Sequence, residues 1–331
     1  MSLKKYFLAS GLLAVYLLPT TATAAVDSPE LPGFIAEMVS KHQFDADQLA
    51  TLFDQAELRP SIIAAITRPA EGKPWYQYRP IFVTEARIEG GLEFWAAHEN
   101  DLLRAQQTYG VPAEIIVAII GVETRYGGNT GSYPVLDALA TLAFDYPARA
   151  SFFRGELENY LLLTREENID PLSLKGSYAG AMGFPQFIPS SYREYAVDFD
   201  GDGRRDLVNN VTDAIGSVAN YFSAHGWQPG QVVAVPVQVD ANTDYSELLN
   251  GGLKPQFSLQ ELKQKNVSIT AELPDTELAA LLEFEDESGV EYWVGLQNFY
   301  VITRYNHSPL YAMAVYQLSQ ELRAKHDAAN Q

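Results

Sequence analysis

Val111–Gly128 reads VPAEIIVAIIGVETRYGG, and the fold turns on it. Pro112 suits the first turn of a helix, where a missing N–H costs nothing. Ile115, Ile116, Val117, Ile119, Ile120 and Val122 make that helix apolar nearly all round, so it belongs inside a helical domain. Gly127-Gly128 can end it with a left-handed cap. At its C-terminal end stands Glu123, four residues after Ile119 and three after Ile120, so it stacks on their face. A carboxyl desolvated in such company holds its proton toward neutral pH, which is what a general acid requires. The residues alone leave a second reading open, a buried glutamate paired with Arg125, because ion pairs also perturb titration.

Upstream, the patterns from Leu31 to Arg104 are helical. Gly33–Lys41 and Ala46–Ala56 form an amphipathic pair, and Pro60 opens a helix through Ile66. Pro69–Pro80 reads as extended and carries Trp75, Tyr76, Gln77 and Tyr78. These rings either pack as core or line a groove for a sugar polymer, whose pyranose faces flat rings cover. Glu85–Tyr109 returns to helical spacing.

Downstream, the spacing predicts helices over Val135–Ala143, Pro147–Arg165 and Thr212–His225. Between them lies Tyr178–Ser191, YAGAMGFPQFIPSS, either a tight structural turn or a functional loop. From Gln231 to Phe299 the pattern changes. Val232–Val239 alternates and contains Pro236, which predicts an edge strand. Ser258–Glu261 is a capping box, and Leu281–Glu285 with Glu291–Leu296 reads as a hairpin. Tyr300–Gln320 is helical again, with Ser308 capping and Pro309 in the first turn. The expected class is mainly α (α+β). An α domain is expected over 27–104, a helical core over 105–230, a small α+β domain over 231–299, and a return to the core over 300–331.

Asp198–Asp206 reads DFDGDGRRD. Asp198, Asp200 and Asp202 occupy the first, third and fifth positions of an EF-hand loop, Gly203 the turn, and Arg204 can give its carbonyl. The closing position, normally Glu, is Asn209. Asp213, at the start of the next helix, supplies the missing carboxylate if the loop is longer than usual. The competing reading is a solvated acidic turn.

Composition excludes several classes of function. With no cysteine among 331 residues, disulfides, thiolate nucleophiles, Cys-ligated zinc and lipid attachment to cysteine are ruled out. A net charge of −19 argues against nucleic acid as a partner. The five histidines show no metal-ligand spacing. Lys4 and Lys5, the apolar run Phe7–Leu18 and the small residues Ala22-Thr23-Ala24 read as a signal peptide over 1–24, so the mature protein is expected to be exported. No later stretch is long and apolar enough to span a bilayer, so no membrane anchor is expected.

With Glu123, Ser177–Gln186 and Tyr305-Asn306 in view, the chain resembles the membrane-bound lytic murein transglycosylase B family. The stretches that carry the likeness are GVETRYGGNTGSYPVLDALATLAFDYP, GSYAGAMGFPQFIPSSYREYAVDFDGDGRRDL, DAIGSVANYFSAHGW and NFYVITRYNHSPLYAMAVYQL. It covers essentially the whole mature chain. The resemblance implies a lysozyme-like core joined by an α domain and a small β-containing domain. It implies cleavage of the MurNAc–GlcNAc β-1,4 bond of peptidoglycan glycan strands without water, in the periplasm, leaving a 1,6-anhydroMurNAc end.

By the same resemblance Glu123 is the catalytic acid/base, and Ser177 and Gln186 are polar contacts to the sugar and its N-acetyl group. Tyr78, Tyr221, Tyr305, Asn306 and Tyr311 are groove residues. Arg149 matches a family arginine whose neighbour, often a second arginine, is here Ala148. Asp198, Asp200, Asp202 and Asp213 fall on a structural calcium loop. The chemistry is consistent with a lone acid. Ordinary glycosidases pair two carboxylates, whereas one suffices when the substrate brings its own nucleophiles. A lysozyme-type hydrolase, needing a second carboxylate or a held water, and a non-catalytic wall-binding protein are the alternatives.

Overall fold

The computed structural model describes residues 26–68 and 72–329; the expected signal peptide lies outside them. Six helices come first: α1 (Leu31–His42), α2 (Ala46–Phe53), α3 (Pro60–Ile66), α4 (Trp75–Phe82), α5 (Glu85–Ala97) and α6 (Glu99–Tyr109). Next are α7 (Ala113–Thr124), β1 (Tyr133–Pro134), α8 (Val135–Asp145), α9 (Ala150–Glu166), β2 (Lys175–Gly176), α10 (Pro189–Tyr195) and α11 (Val211–Ala224). The sheet segment holds β3 (Ala234–Val239), α12 (Ser246–Leu249), β4 (Phe257–Ser258), α13 (Leu259–Gln264), β5 (Val267–Ser268), β6 (Leu278–Asp286) and β7 (Gly289–Gly295). Helices α14 (Gln297–Tyr305) and α15 (Pro309–Ala329) follow.

Helix α7 is the centre. Only its two glutamates, Glu114 and Glu123, escape full burial. Helices α5, α6, α11 and α15 pack around it, which is why its apolar residues show no polar face. Each buried Ile or Val contributes about 1.5–3 kcal/mol. The chain's last helix therefore touches its middle, and Tyr311 of α15 reaches Glu123 across 188 residues.

The larger sheet is antiparallel in the order β4-β6-β7-β3-β5. The expected hairpin is β6–β7, with Asp286 opposite Gly289. Strand β6 is buried on both faces. Ala280, Leu282 and Phe284 face the helical body, while Ala279 and Leu281 face a small core with Leu248, Leu259, Leu262 and Val294. This is the period of two, with both faces covered. Phe284 meets Trp75 of α4 at 5.5 Å between ring centroids, so the sheet docks on the helix that carries Tyr78.

Three expectations change. Pro69–Pro80 is not extended where it is described, because Trp75–Phe82 is helical despite Pro80. Burial of Trp75 and Tyr78 outweighs the one hydrogen bond that Pro80 cannot donate, and the helix ends two residues later. Strand β3 is an edge only in part, because β5 pairs with it at Gln238 and Val239; Pro236 lies in the stretch that β5 leaves unpaired. The glycine-rich loop is shorter than expected, since Pro189 opens α10 inside it. The capping box at Ser258 and the cap from Ser308 to the Tyr311 N–H form as expected.

The first helices are tied to α8 through Asp137, which is buried and accepts from the Glu57 N–H at 3.0 Å and Arg59 Nε at 2.7 Å. Removing a buried acceptor leaves its donors unpaired, at about 1–3 kcal/mol. Asp137→Ala should therefore lower the thermal midpoint while Asp137→Asn lowers it less. Unchanged melting in both would show that the tie carries no stability.

Candidate active site

The last turn of α7 closes earlier than its glycines suggest. Arg125 and Tyr126 already take left-handed backbone, with φ of 52° and 61°, and return N–H bonds to Gly121 and Ile120. The Tyr126 ring explains why. It fills a slot beside Gly90, Gly91 and Gly121, where a Cβ on Gly121 would lie 2.5 Å from its hydroxyl. That hydroxyl donates to the Arg87 carbonyl at 2.7 Å, and Arg87, itself buried, donates Nη1 to the Gly121 carbonyl at 3.1 Å. Helix α5 thus clamps the end of α7 through two reciprocal bonds, one of them placing a cation at the negative end of a helix.

Glu123 stands on this fixed turn, half-buried. Its Oε1 accepts from the Tyr311 hydroxyl at 2.5 Å. Burial pushes the carboxyl up from 4.5 to about 7, and the Tyr311 bond pulls the other way. Among the described residues no cation pairs with it. Arg125 points its turn into solvent and is exposed, so the ion-pair reading is not what the structure shows.

Thr124 joins this turn to the glycine-rich loop, its Oγ1 being 3.0 Å from the Phe184 carbonyl. The loop is held in turn by paired bonds between Met182 and Phe187 and by Phe184 N–H to Leu207 O at 2.9 Å. Gln186 sits at φ 50°, a conformation a non-glycine residue holds at a cost of about 1 kcal/mol or more. Its Nε2 donates to Thr130 O at 3.0 Å and Gly183 O at 2.9 Å, leaving Oε1 as a spare acceptor. Ser177 Oγ accepts from the N–H groups of Ala179 and Ala181, leaving its own proton to donate.

A row of rings leads away from Glu123. Tyr311 lies parallel to Tyr305 (6.5 Å, 10°), and Tyr305 meets Tyr221 edge-on at 4.9 Å. Tyr305 donates to Pro185 O and Tyr221 to Arg304 O, so the hydroxyls are committed to backbone carbonyls. Tyr78 is buried against Trp75 and Phe82. It also belongs to the cluster: burial, then Glu123, Tyr305 and Tyr78, raise the Tyr311 phenol well above its ordinary range. Asn306 follows Tyr305 as the C-cap of α14, half-buried, with no side-chain hydrogen bond to a described residue. Arg149 is not gathered in; it is exposed at the N-cap of α9, its guanidinium 4.3 Å over the Phe152 ring.

The acidic loop lies on the other side of Leu207. Carboxylate oxygens of Asp198, Asp200 and Asp202 fall within 4.8 Å of one another. Asp198 accepts from the N–H groups of Gly201 and Gly203, and Arg204 donates its N–H to Asp202. The Asn210 amide holds the Asp200 carboxyl below its ordinary value. Three exposed carboxylates in one turn are hard-oxygen donors that fit a divalent cation such as calcium. Asp213 falls outside that cluster but beside Asp200, whose charge and backbone N–H act on its carboxyl. It is buried, and its two oxygens accept from Phe199 N–H at 2.7 Å and Asp206 N–H at 2.8 Å, bracing both arms of the loop.

The family profile described as the Transglycosylase SLT domain matches residues 27–320. The chain belongs to the SLT transglycosylase family. It is 49% identical over 304 residues to the membrane-bound lytic murein transglycosylase B of Escherichia coli (strain K12), across 89% of this chain and 82% of that one. The crystal structure of soluble lytic transglycosylase SltB1 from Pseudomonas aeruginosa matches with a TM-score of 0.85 at 53% identity, over 90% of this chain and 100% of that one. The Escherichia coli lytic transglycosylase Slt35, solved in complex with calcium, matches with a TM-score of 0.84 at 47% identity, over 90% of this chain and 94% of that one. The lysozyme-like, mainly α class with a small sheet is thus the fold of this SLT protein.

Arg87 is the site residue that sequence reasoning missed. Its one local signal is the Gly90-Gly91 pair a turn later, which marks a close helix approach. The state of Glu123 in this SLT chain can be tested without substrate. Because its folded value lies above its ordinary 4.5, its contribution is fully present below that value and is lost as pH rises through about 7. Glu123→Gln should therefore gain thermal stability over wild type progressively across this window and hold the gain above it. A pH-independent difference between the two melting curves would contradict the assignment.

Proposed function

We propose that this SLT protein is a lytic transglycosylase. It cleaves the MurNAc–GlcNAc β-1,4 bond of peptidoglycan without water and leaves 1,6-anhydroMurNAc ends. The observation that carries the reading is the state of Glu123: a carboxyl half-buried at the end of an apolar helix, bonded to a neutral phenol, with its pKa near 7. Such a group gives a proton and takes one back with little driving-force penalty. Glu123 protonates the glycosidic oxygen. The N-acetyl carbonyl of the substrate stabilises the cation developing at C1. The Glu123 carboxylate then accepts the proton of the MurNAc 6-hydroxyl as that oxygen attacks C1. No second protein carboxylate is required.

The remaining roles follow from what each side chain has spare. The Ser177 hydroxyl proton and Gln186 Oε1 complement the carbonyl and N–H of an N-acetyl group. The Tyr221, Tyr305 and Tyr311 rings, with Tyr78 and Asn306, wall the glycan groove, and Arg149 makes an outlying contact. Asp198, Asp200, Asp202, the Arg204 carbonyl and Asp213 hold a structural calcium ion. The segments 27–104, 105–230, 231–299 and 300–331 are read as α domain, catalytic core, sheet domain and return to the core. Cleavage near Ala24 delivers the protein to the periplasm.

Two experiments test this. Glu123→Gln should lose about 10²–10⁴-fold of sacculus lysis with binding retained, and wild-type products should be lighter by one water than hydrolytic ones. A smaller loss or hydrated products would reverse the assignment. Calcium should raise the melting temperature and a chelator lower it, and Asp198→Ala with Asp202→Ala should abolish that shift. Identical wild-type curves in calcium and chelator would make the loop an acidic turn.

A further inference from the structure

Thr124 follows Glu123 directly and is fully buried as the last residue of α7. Its hydroxyl oxygen lies 3.0 Å from the Phe184 carbonyl and 3.1 Å from the Ile120 carbonyl, and it accepts the Gly127 N–H at 3.0 Å. A hydroxyl has one proton to give, here for two carbonyls. The Ile120 carbonyl already receives the Tyr126 N–H at 3.3 Å, whereas the Phe184 carbonyl has no backbone N–H donor among the described residues. The proton therefore goes to Phe184. Phe184 is held twice more. Its N–H donates to the Leu207 carbonyl at 2.9 Å, and its ring covers Gly127, where a Cβ would lie 2.2 Å from Cε1. Two residues on, the Gln186 side chain reaches back to the segment leaving α7 and donates Nε2 to Thr130 O at 3.0 Å. The segment after Glu123 and the loop of Gln186 are thus cross-braced, Thr124 to Phe184 and Gln186 to Thr130.

The reaction proposed above asks two groups to act on one sugar, Glu123 on the glycosidic oxygen and Gln186 on the N-acetyl group. The sugar fixes the separation of those two points, so the protein must fix the separation of the two side chains. We propose that Thr124 is a positioning residue: its bond to the Phe184 carbonyl sets Glu123 against the loop of Gln186, and so holds the acid in line with the glycosidic oxygen once the N-acetyl group is seated. The inference rests on the transglycosylase reading and adds to it a residue that touches no substrate. Threonine suits the task. Its branched Cβ restricts χ1, and the turn beneath it is held from α5, so the hydroxyl is presented in one direction. Misplacing a reacting group by about 1 Å costs on the order of 10²-fold in rate.

The test measures cleavage of soluble glycan oligomers, well below the melting temperature of each variant. Thr124→Val keeps the shape and loses the hydroxyl, whereas Thr124→Ser keeps the hydroxyl and loses a methyl. Thr124→Val should lower kcat about 10–100-fold and leave KM within about threefold; Thr124→Ser should restore kcat. In both, the fall of kcat/KM as pH rises through about 7 should stay where it is in the wild type, because burial and Tyr311 set that value. In a Gln186→Ala background, Thr124→Val should add less than about threefold, since the group it aligns is gone. Wild-type kcat in Thr124→Val, a displaced pH limb, or an undiminished further loss in the Gln186→Ala background would overturn the proposal. Should Thr124→Val not fold, Thr124→Cys, whose thiol is a weak donor, takes its place with the same expectations. Hydrated wild-type products would strike the transglycosylase reading alone, because the acid of a hydrolase needs the same alignment and the variants still decide this proposal.

Discussion

Everything in this protein is arranged so that one carboxyl is half-buried with no cation to pair it. An ionised carboxylate in apolar surroundings is costly, and the least costly escape is to keep the proton. Glu123 takes that escape because burial dominates; its bonded partner Tyr311 is a neutral donor that opposes the shift without reversing it. An arginine in the same place would hold the group ionised. Arg87 comes near in space but spends its charge on the Gly121 carbonyl, at the end of the helix rather than on the acid. The cation therefore fixes the backbone under Glu123 without setting its protonation.

That constraint determines where the rest of the chain goes. A helix apolar on every side needs neighbours on every side, and α7 recruits them from both halves of the sequence. Helix α15 must return from far along the chain to bring Tyr311. The sheet domain contributes to the same end, since Phe284 and Trp75 lock α4 in place and α4 carries Tyr78 beneath the tyrosine cluster. Contacts this distant in sequence raise the contact order, which slows folding.

The legibility of the sequence followed the strength of local signals. The helix bearing Glu123, the capping box at Ser258, the Ser308 cap and the β6–β7 hairpin rest on spacing within a few residues, and all are present. Helix α4 was illegible because Pro80 signals a break, and only the tertiary burial of Trp75 and Tyr78 overrides it. At Asp213 the sequence is silent for a similar reason. It shows a carboxylate near the acidic loop but not that two backbone N–H groups donate to it. Arg87 gave no signal of its own beyond the neighbouring Gly90-Gly91 pair, because a buried arginine bonded to carbonyls looks like a surface arginine on a helix.

The acidic loop shows how stability and chemistry are kept apart. It joins α10 to α11 and ends at Leu207, whose carbonyl accepts from Phe184 N–H in the loop that carries Gln186. The Tyr192 hydroxyl binds the same corner, donating to Arg205 O at 2.5 Å and accepting from Leu207 N–H at 3.0 Å. Backbone bonds thus link the acidic loop to the loop of Gln186, while the titration of the Glu123 carboxyl answers to burial and Tyr311. The acidic loop braces the loop of Gln186 while lying outside the groups that set the Glu123 titration.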